Sequence, residues 1–441
     1  MVVAGSAGVA ACGPKPPPER APRTPVNASD TAGRAPAPAL PGEEAAAPPE
    51  PDFASGRMVR VALQTDAERV ALSANGAWRL YDQNGASLLV RADSGDTWTV
   101  EPDHDALRAV RSDGDRTPRR DAPFVARPAQ AGVFLTVNGR PFRGEIVVRP
   151  GERGLTVIDR LALEDYLRGV VPLEIGPRTP EEHAAVEAQA IAARSYALAH
   201  LRADAPRGYD LLSTVTDQVY GGLAVETPGG DRAVAVTRAL VITYEGRIIA
   251  APYSAVCGGR TAAADEVWRE GDAAYLQSVS DRVRASGDHF YCEISPRFRW
   301  TRELSSRDLA ATLERNLRAY VTVTGRIGAV TDVRIEHRTR SGRVGTMLLV
   351  TERGRYELRG NEIRFVFRSE SGEILPSTML SVTLDRDHDG RVYRLVFSGA
   401  GNGHGVGMCQ WGAIGRARDG QSARAILTTY YPGTAVVALP E

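Results

Sequence analysis

One helix stands out in a chain whose other patterns are mostly those of strands. The stretch TPEEHAAVEAQAIAARSYALAHLRA (179–203) begins with Thr179 as an N-cap, Pro180 at the first helical position and Glu182 where a capping box closes. Its many alanines favour a helix and allow other elements to approach it closely. The sequence therefore predicts a helix from residue 179 onward, packed closely by its neighbours.

Around this helix, apolar and polar residues alternate with a period of two, which predicts strands. From residue 57 to about 163 the strand-like runs include RMVRVALQ, SLLVRAD and GVFLTVNGRPFRGEIVVRPGERGLTVIDRL. The last of these predicts three short strands with Asn-Gly and Gly-Glu turns. GVVPL (169–173) is also strand-like, as are later runs within 238–259 and 330–360, and SSRDLAATLERNLRA (305–319) predicts a second helix with a serine cap. This order predicts an α+β fold, mostly β with a few helices.

The N-terminal residues predict a tether. Residues 13–52 hold 12 of the 28 prolines, and such a segment cannot bury enough apolar surface to fold. Just before it, Val9-Ala10-Ala11-Cys12 fits a bacterial lipoprotein cleavage site, so 1–12 reads as a signal remnant with Cys12 as the lipidation site. The alternative is a disordered N-terminus with an incidental cysteine.

Charge and lysine content exclude several classes of function. The formal net charge is zero, which argues against a nucleic-acid partner. Lys15, in the tether, is the only lysine. The folded part therefore has no Schiff-base lysine and no phosphate-loop lysine.

Two charged residues lie in apolar surroundings. Glu174 stands between Leu173 and Ile175; burial would raise the pKa of its carboxyl, as a general acid requires, whereas a nearby helix start would lower it. On residues alone a structural role is favoured for Glu174. Arg194 falls on an apolar stripe of the predicted helix, so it needs a polar partner, or else its head reaches water or a cleft.

The cysteines other than Cys12 allow two interpretations. His289 and Cys292 have H-x-x-C spacing, and Cys257 and Cys409 lie in glycine-rich turns. Together these four would complete a closed, structural zinc site. The alternative is a Cys257–Cys292 disulfide with Cys409 free, which an oxidising compartment favours.

The motifs, in their order, resemble the SpoIID/LytB family of peptidoglycan-active proteins. The resemblance covers about residues 57 to 437, and the matching stretches are LEDYLRGVVPLEI (163–175), EAQAIAARSYAL (187–198), TDQVYGG (216–222), APYSAVCGGRTAAADEVW (251–268), SGRV (341–344) and GNGHGVGMCQWGAIGRARDGQSARAILTTYYPGT (401–434). The resemblance implies a SpoIID-like fold, with an N-terminal β-rich region over 57–163 and a catalytic region over 164–437.

The resemblance also implies roles for particular residues. Glu174 matches the family's catalytic glutamate, and Arg194 matches an arginine important for activity that would orient Glu174 or hold substrate. Tyr196, Gln218, Tyr220, His404 and Gln410 fall in matching motifs and are expected to line the cleft, although His404 fits a packed structural histidine equally well. Some members carry a Cys-x-x-Cys pair where this chain has His289 and Cys292, which favours zinc over a disulfide.

Taken together, the expected function is an extracytoplasmic, lipid-anchored lytic transglycosylase. It would cleave the bond from N-acetylmuramic acid to N-acetylglucosamine in peptidoglycan glycan strands, with one glutamate as acid and then base, and without a catalytic cofactor. The alternative is a non-catalytic binder that enhances a wall amidase, as the LytB branch of the family implies. A zinc hydrolase is disfavoured because four protein ligands leave no open metal position.

Overall fold

The computed structural model describes residues 57–82, 85–202, 205–268 and 273–440. Cys12 and the tether at 13–52 lie outside these ranges, so lipidation and disorder there stay predictions. Across the described residues, no helix is both long enough and apolar enough to span a membrane.

Strands dominate the structure. Within the described ranges, eleven strands precede the first α-helix: β1 Met58–Ala67, β2 Val70–Ala74, β3 Trp78–Asp82, β4 Ser87–Ala92, β5 Trp98–Asp103, β6 Ala106–Arg111, β7 Phe124–Pro128, β8 Leu135–Val137, β9 Arg140–Phe142, β10 Glu145–Pro150 and β11 Leu155–Ala162. The others are β12 Leu211–Leu212, β13 Leu240–Tyr244, β14 Arg247–Ile248, β15 Tyr253–Ser254, β16 Arg299–Ser305, β17 Val330–Arg338, β18 Val344–Thr351, β19 Gly354–Arg359, β20 Leu380–Arg386, β21 Val392–Ala400, β22 Met408–Cys409 and β23 Ala435–Ala438.

The α-helices are α1 Leu163–Ile175, α2 His183–His200, α3 Pro228–Val236, α4 Ser306–Asn316, α5 Glu362–Val366, α6 Gln410–Arg418 and α7 Ala423–Tyr430. Short 3-10 helices cover Pro180–Glu182, Gly222–Val225, Ala264–Glu266, Tyr291–Ile294 and Leu317–Ala319. The predicted α+β class, mostly β with a few helices, is confirmed.

Two larger sheets form the N-terminal part. One has the order β12-β1-β11-β10-β7-β3-β4 and the other has the order β6-β5-β2-β8-β9. Positive φ angles at Asn138 (50°) and Gly139 (80°) make the predicted Asn-Gly turn between β8 and β9. The run from 132 to 161 holds four strands, not the three expected, because Arg140–Phe142 pairs with β8 as a separate short strand.

The described residues form two hydrophobic cores. The first joins residues from Val59 to Cys292 with residues from Val406 to Val436, and the second lies between Leu304 and Phe397. The first core extends across residue 163, the predicted boundary between the folded regions, so those ranges stay a prediction. We call residues 299–400, which contain the second core, the second lobe.

The second lobe starts and ends at adjacent positions. Arg299 at the start of β16 is paired with Ala400 at the end of β21. Just outside this pair, the Gly401 N–H donates to the Phe298 carbonyl at 2.9 Å.

The helix predicted from residue 179 onward is confirmed as α2. Thr179 precedes the 3-10 turn that leads into α2, and the Glu182 carboxylate accepts from the Thr179 N–H at 3.1 Å. α2 is buried along most of its length and packs against α1, α3, α6 and α7. The second predicted helix is also present as α4, with the Ser305 hydroxyl accepting from the Asp308 N–H.

One element prediction is wrong. GVVPL is not a strand but the last part of α1, with Pro172 inside the helix. A proline lacks an N–H and normally disrupts a helix interior. Here α1 continues to Ile175 and is capped by Gly176, which has φ 71° and donates its N–H to the Pro172 carbonyl.

Candidate active site

Glu174 lies in the last turn of α1, and not at the start of the next helix as its position in the sequence suggests. The carbonyl end of a helix carries partial negative charge, which disfavours a carboxylate there. The side chain is turned into the first core, and Glu174 is 1% exposed. Helix position and burial therefore act in the same direction on this carboxyl group.

The Glu174 carboxyl has neutral partners. Its Oε1 accepts from the Val219 N–H at 3.0 Å, and its Oε2 lies 3.4 Å from Gln410 Nε2. The Tyr253 side chain is a third hydrogen-bond partner. Burial raises the pKa of the Glu174 carboxyl to about 8, and these hydrogen bonds limit the rise. At neutral pH the group is therefore mostly protonated, the form that a general acid needs.

Two glutamines extend this network. Gln410 Nε2 also donates to Gln189 Oε1 at 3.2 Å, which links α6 to α2 beside Glu174. On the other side, Gln218 Nε2 donates to the Tyr253 hydroxyl at 2.9 Å and Gln218 Oε1 accepts from the Tyr166 hydroxyl at 3.1 Å. Sequence reasoning missed Gln189, Tyr253 and Tyr166 as parts of the site, although each lies in a stretch that carries the resemblance.

A pocket of about 110 Å³ opens next to the end of α1. Pro172 and Gly176, on either side of Glu174 in sequence, line it together with Arg178 and His183. The Arg178 guanidinium lies over the Trp411 ring, 5.1 Å from its centroid, and its Nε donates to the Ile175 carbonyl at 2.7 Å.

Arg194 does not contact Glu174. Its Nε and Nη2 form a bidentate pair with Glu164, at 2.8 and 2.7 Å, and its remaining donors reach Thr237 and backbone carbonyls of β13 and α3. Glu164 is ten residues before Glu174 on α1, about 15 Å along the helix axis. The expectation of a carboxylate partner for Arg194 agrees with this geometry. The expected contact between Arg194 and Glu174 is not present, because the pair with Glu164 holds the guanidinium at the other end of α1.

Tyr196 and Tyr220 are buried rather than open to a cleft. The Tyr196 hydroxyl donates to Asp217 Oδ1 at 3.3 Å, and the Tyr220 hydroxyl donates to Asp159 Oδ2 at 2.7 Å. A Cβ at Gly169 of α1 would overlap the Tyr220 ring, so glycine is required at that position. Both tyrosines therefore tie the 216–222 segment to neighbouring elements.

His404 is a packed histidine. Its Nε2 donates to the Tyr253 carbonyl at 2.9 Å, and its Nδ1 accepts from the Val406 N–H at 3.1 Å. Burial, with the nearby Arg364 and Arg343, lowers the pKa of His404 to about 3, so the ring is neutral. Both ring nitrogens are engaged within the protein, which agrees with the structural alternative for this residue and not with substrate contact.

Three cysteines meet in the first core. The Sγ atoms of Cys257, Cys292 and Cys409 and a carboxylate oxygen of Asp281 lie within 4.8 Å of one another, and all four residues are buried. Cys257 Sγ and Cys292 Sγ are 3.6 Å apart. These are donors that suit Zn²⁺.

The expected fourth ligand, His289, is not in this cluster. Its side chain is 83% exposed and its Nδ1 lies 2.8 Å from Glu293 Oε1. The H-x-x-C stretch enters a 3-10 helix at Tyr291–Ile294, which turns Cys292 inward and leaves His289 at the surface. Asp281 occupies the fourth place, and no local spacing in the sequence marks it.

Comparison with known proteins gives two family matches. The family described as SpoIID, stage II sporulation protein, matches residues 151–244, which include Glu174 and Gln189. A domain of unknown function, DUF8618, matches residues 284–407, which include the second lobe.

Three curated relatives illustrate the similarity. An uncharacterized protein of Brachyspira hyodysenteriae is 29% identical over 390 residues, covering 87% of this chain and 94% of the relative. The amidase enhancer of Bacillus subtilis is 28% identical, covering 62% of this chain and 40% of the relative. Stage II sporulation protein D of Bacillus subtilis is 25% identical, covering 63% and 75%.

Proposed function

We propose that this chain, which belongs to the SpoIID/LytB family, is an extracytoplasmic lytic transglycosylase acting on peptidoglycan glycan strands. The single observation that carries the proposal is Glu174. It is a buried carboxyl with a pKa of about 8, held by a backbone amide, a glutamine amide and a tyrosine hydroxyl. Such a group can give a proton near neutral pH and then take one back.

The reaction uses this one carboxyl twice. Protonated Glu174 donates its proton to the oxygen that links N-acetylmuramic acid to N-acetylglucosamine, and the bond from that oxygen to C1 breaks. An oxocarbenium-like transition state forms at C1. The Glu174 carboxylate then takes the proton of the C6 hydroxyl of N-acetylmuramic acid, and O6 of that sugar bonds to its C1. The anhydro ring closes, the proton returns to Glu174, and no water is consumed.

The other residues of the network position Glu174. Val219, Gln410 and Tyr253 stabilise the carboxylate when it forms, because each donates a hydrogen bond to it. Gln189 accepts a hydrogen bond from Gln410, and Gln218 donates one to the Tyr253 hydroxyl, so each orients one partner of Glu174. The pocket lined by Pro172, Gly176 and Arg178 is the proposed entry for the glycan. The Arg178 guanidinium at this pocket lies over the Trp411 ring.

The test is product analysis with a matched control. Glu174→Gln removes the proton but keeps the shape, whereas Glu181→Gln changes an exposed glutamate at the start of the central helix region. Each protein is incubated with glycan strands free of stem peptides, and soluble fragments are identified by mass spectrometry. We expect anhydro-ended fragments from the parent and from Glu181→Gln, and none from Glu174→Gln. Reducing-end fragments would instead indicate hydrolysis with a second base.

A second candidate is an amidase enhancer, because one relative carries that name. In this reading the chain binds the wall and stimulates a wall amidase without cleaving glycan. If the parent yields no fragments from intact or peptide-free wall but increases the rate of an added wall amidase, the enhancer is upheld. If Glu174→Gln increases the amidase rate as much as the parent does, this enhancement does not depend on the Glu174 carboxyl.

A further inference from the structure

The cluster of Cys257, Asp281, Cys292 and Cys409 has the dimensions of a single-metal centre. A tetrahedral zinc ion with Zn–S bonds near 2.3 Å holds its sulfurs about 3.8 Å apart. The observed separation of Cys257 Sγ and Cys292 Sγ is 3.6 Å, and all four donor atoms fall within 4.8 Å of one another. A disulfide would bring two of the sulfurs to about 2.05 Å.

Hydrogen bonds around the cluster orient its donors. Cys409 Sγ accepts from the N–H groups of Cys257 at 3.1 Å and Gly412 at 3.3 Å, contacts that favour a thiolate. The Asp281 carboxylate accepts from the Tyr430 hydroxyl at 2.6 Å and from the Cys292 N–H at 2.9 Å. Within the described part of the chain, Asp281 Oδ2 accepts only from the Cys292 N–H, so this oxygen keeps a further lone pair for a metal.

Two buried arginines balance the charge of such a centre. Three thiolates and one carboxylate around Zn²⁺ leave a net charge of −2. Arg416 Nη2 lies 3.5 Å from Asp281 Oδ1. Arg343, 1% exposed, donates from Nη2 to the Cys257 carbonyl at 2.8 Å. Its Nε and Nη1 have no hydrogen-bond partner among the described residues. A buried guanidinium so poorly paired is costly unless negative charge lies nearby.

We propose that Cys257, Asp281, Cys292 and Cys409 bind one zinc ion in a closed structural site. The ion joins the start of the glycine-rich 257–259 turn, the 281 segment, the 3-10 helix at Tyr291–Ile294 and the N-terminus of α6. Cys292 and Cys409 stand on either side of the second lobe in sequence, so the ion also fixes both connections to that lobe.

The same ion supports the Glu174 network. Cys409 directly precedes Gln410, whose amide contacts Glu174. Tyr253 and Ser254 of β15 pair with Met408 and Cys409 of β22. Zinc at Cys409 therefore fixes the strand pair that presents Tyr253 and the residue that presents the Gln410 amide.

The first experiment measures metal content in the parent protein. The chain, in a Cys12→Ser background and without a metal-binding tag, is purified and analysed by inductively coupled plasma mass spectrometry. We expect one zinc per chain. After chelation in denaturant without reductant, we expect three thiols to react with a chromogenic thiol reagent. No bound metal together with a single reactive thiol would overturn the proposal in favour of a disulfide, and stoichiometric iron in place of zinc would overturn the metal assignment.

Variants identify the fourth ligand. Asp281→Asn is expected to lower zinc retention at least tenfold in competition with a chelating dye, while His289→Ala, the matched control, retains zinc as the parent does. Because Asp281→Asn can also impair folding, cobalt is substituted into the parent as a second measurement. Tetrahedral thiolate-to-cobalt absorption bands support the site, and an octahedral spectrum without such bands contradicts it. None of these readouts depends on glycan cleavage.

Discussion

Gln410 Nε2 lies 3.4 Å from Glu174 Oε2 and 3.2 Å from Gln189 Oε1, although Gln410 and Glu174 are 236 residues apart in the chain. One amide group thus joins α6, the end of α1 and the middle of α2. Because the amide nitrogen only donates, it stabilises the charged form of Glu174 and opposes the effect of burial on the pKa. The acidity of Glu174 therefore depends on how α6 is held.

Glu174→Gln should change stability in a pH-dependent way. The Glu174 pKa is about 8 in the folded protein and 4.5 as a reference for the unfolded chain. The stabilising contribution of the neutral Glu174 carboxyl to the free energy of unfolding is fully present below pH 4.5 and is lost as the pH rises to about 8. The loss is on the order of 5 kcal/mol. We expect the Tm of Glu174→Gln to rise relative to the parent between pH 4.5 and 8. A constant difference in Tm over this range would mean that the carboxyl is not buried in its neutral form.

The rate of glycan cleavage should fall on the alkaline side as Glu174 loses its proton. We expect kcat/KM of the parent to decline above a pH of about 8. Gln410→Ala removes a donor to the carboxylate, so the midpoint of this decline should move to higher pH. The measurement is a pH–rate profile of both proteins. A midpoint unchanged by Gln410→Ala would show that the two side chains do not interact in the free protein.

Arg194→Met should destabilise the protein without abolishing the chemistry. The change leaves Glu164 without its bidentate partner, at a cost of about 3 kcal/mol. Denaturant unfolding of Arg194→Met, Glu164→Gln and the double variant forms a double-mutant cycle. We expect the double variant to lose much less stability than the sum of the two single losses. A large fall in kcat of fully folded Arg194→Met would instead support the catalytic role that the family resemblance implies.

His404→Ala should affect stability and not substrate affinity. The ring bridges the Tyr253 carbonyl and the Val406 N–H, and its loss also leaves a cavity, so we expect a cost of about 3 kcal/mol. Since the His404 pKa is lowered from 6.5 to about 3, the parent should lose stability as the pH falls through this range, and the variant should lose less. His104→Ala, at an exposed site, is the control. A raised KM with unchanged Tm would contradict this prediction.

Local patterns predicted the elements whose signals lie within one segment. The capped, alanine-rich α2, the Ser305 cap of α4 and the Asn138-Gly139 turn are all of this kind. The strand prediction for GVVPL is wrong, although two valines and a proline do disfavour a helix in isolation. In the protein those residues complete an α1 whose apolar side chains, among them Val170 and Val171, are buried in the first core.

The site was predictable only one residue at a time. Glu174 and Gln410 could be named from motifs, but their contact depends on tertiary packing between α1 and α6. Asp281 and Gln189 have no spacing that marks them, since their partners come from distant parts of the chain. His289 shows the opposite error, because a ligand-like spacing carries no information on which way each side chain turns.

The second lobe is an insertion whose two ends lie side by side. Arg299 pairs with Ala400, and Phe298 pairs with Gly401 just outside them. Its two connections leave the first core side by side, so a short turn could replace the whole lobe without separating Cys292 from Cys409. Insertion or deletion at this point would cost little loop-closure entropy. An exchanged lobe would still have to supply a donor in the place of Arg343, which is part of this lobe and contacts the Cys257 carbonyl in the first core.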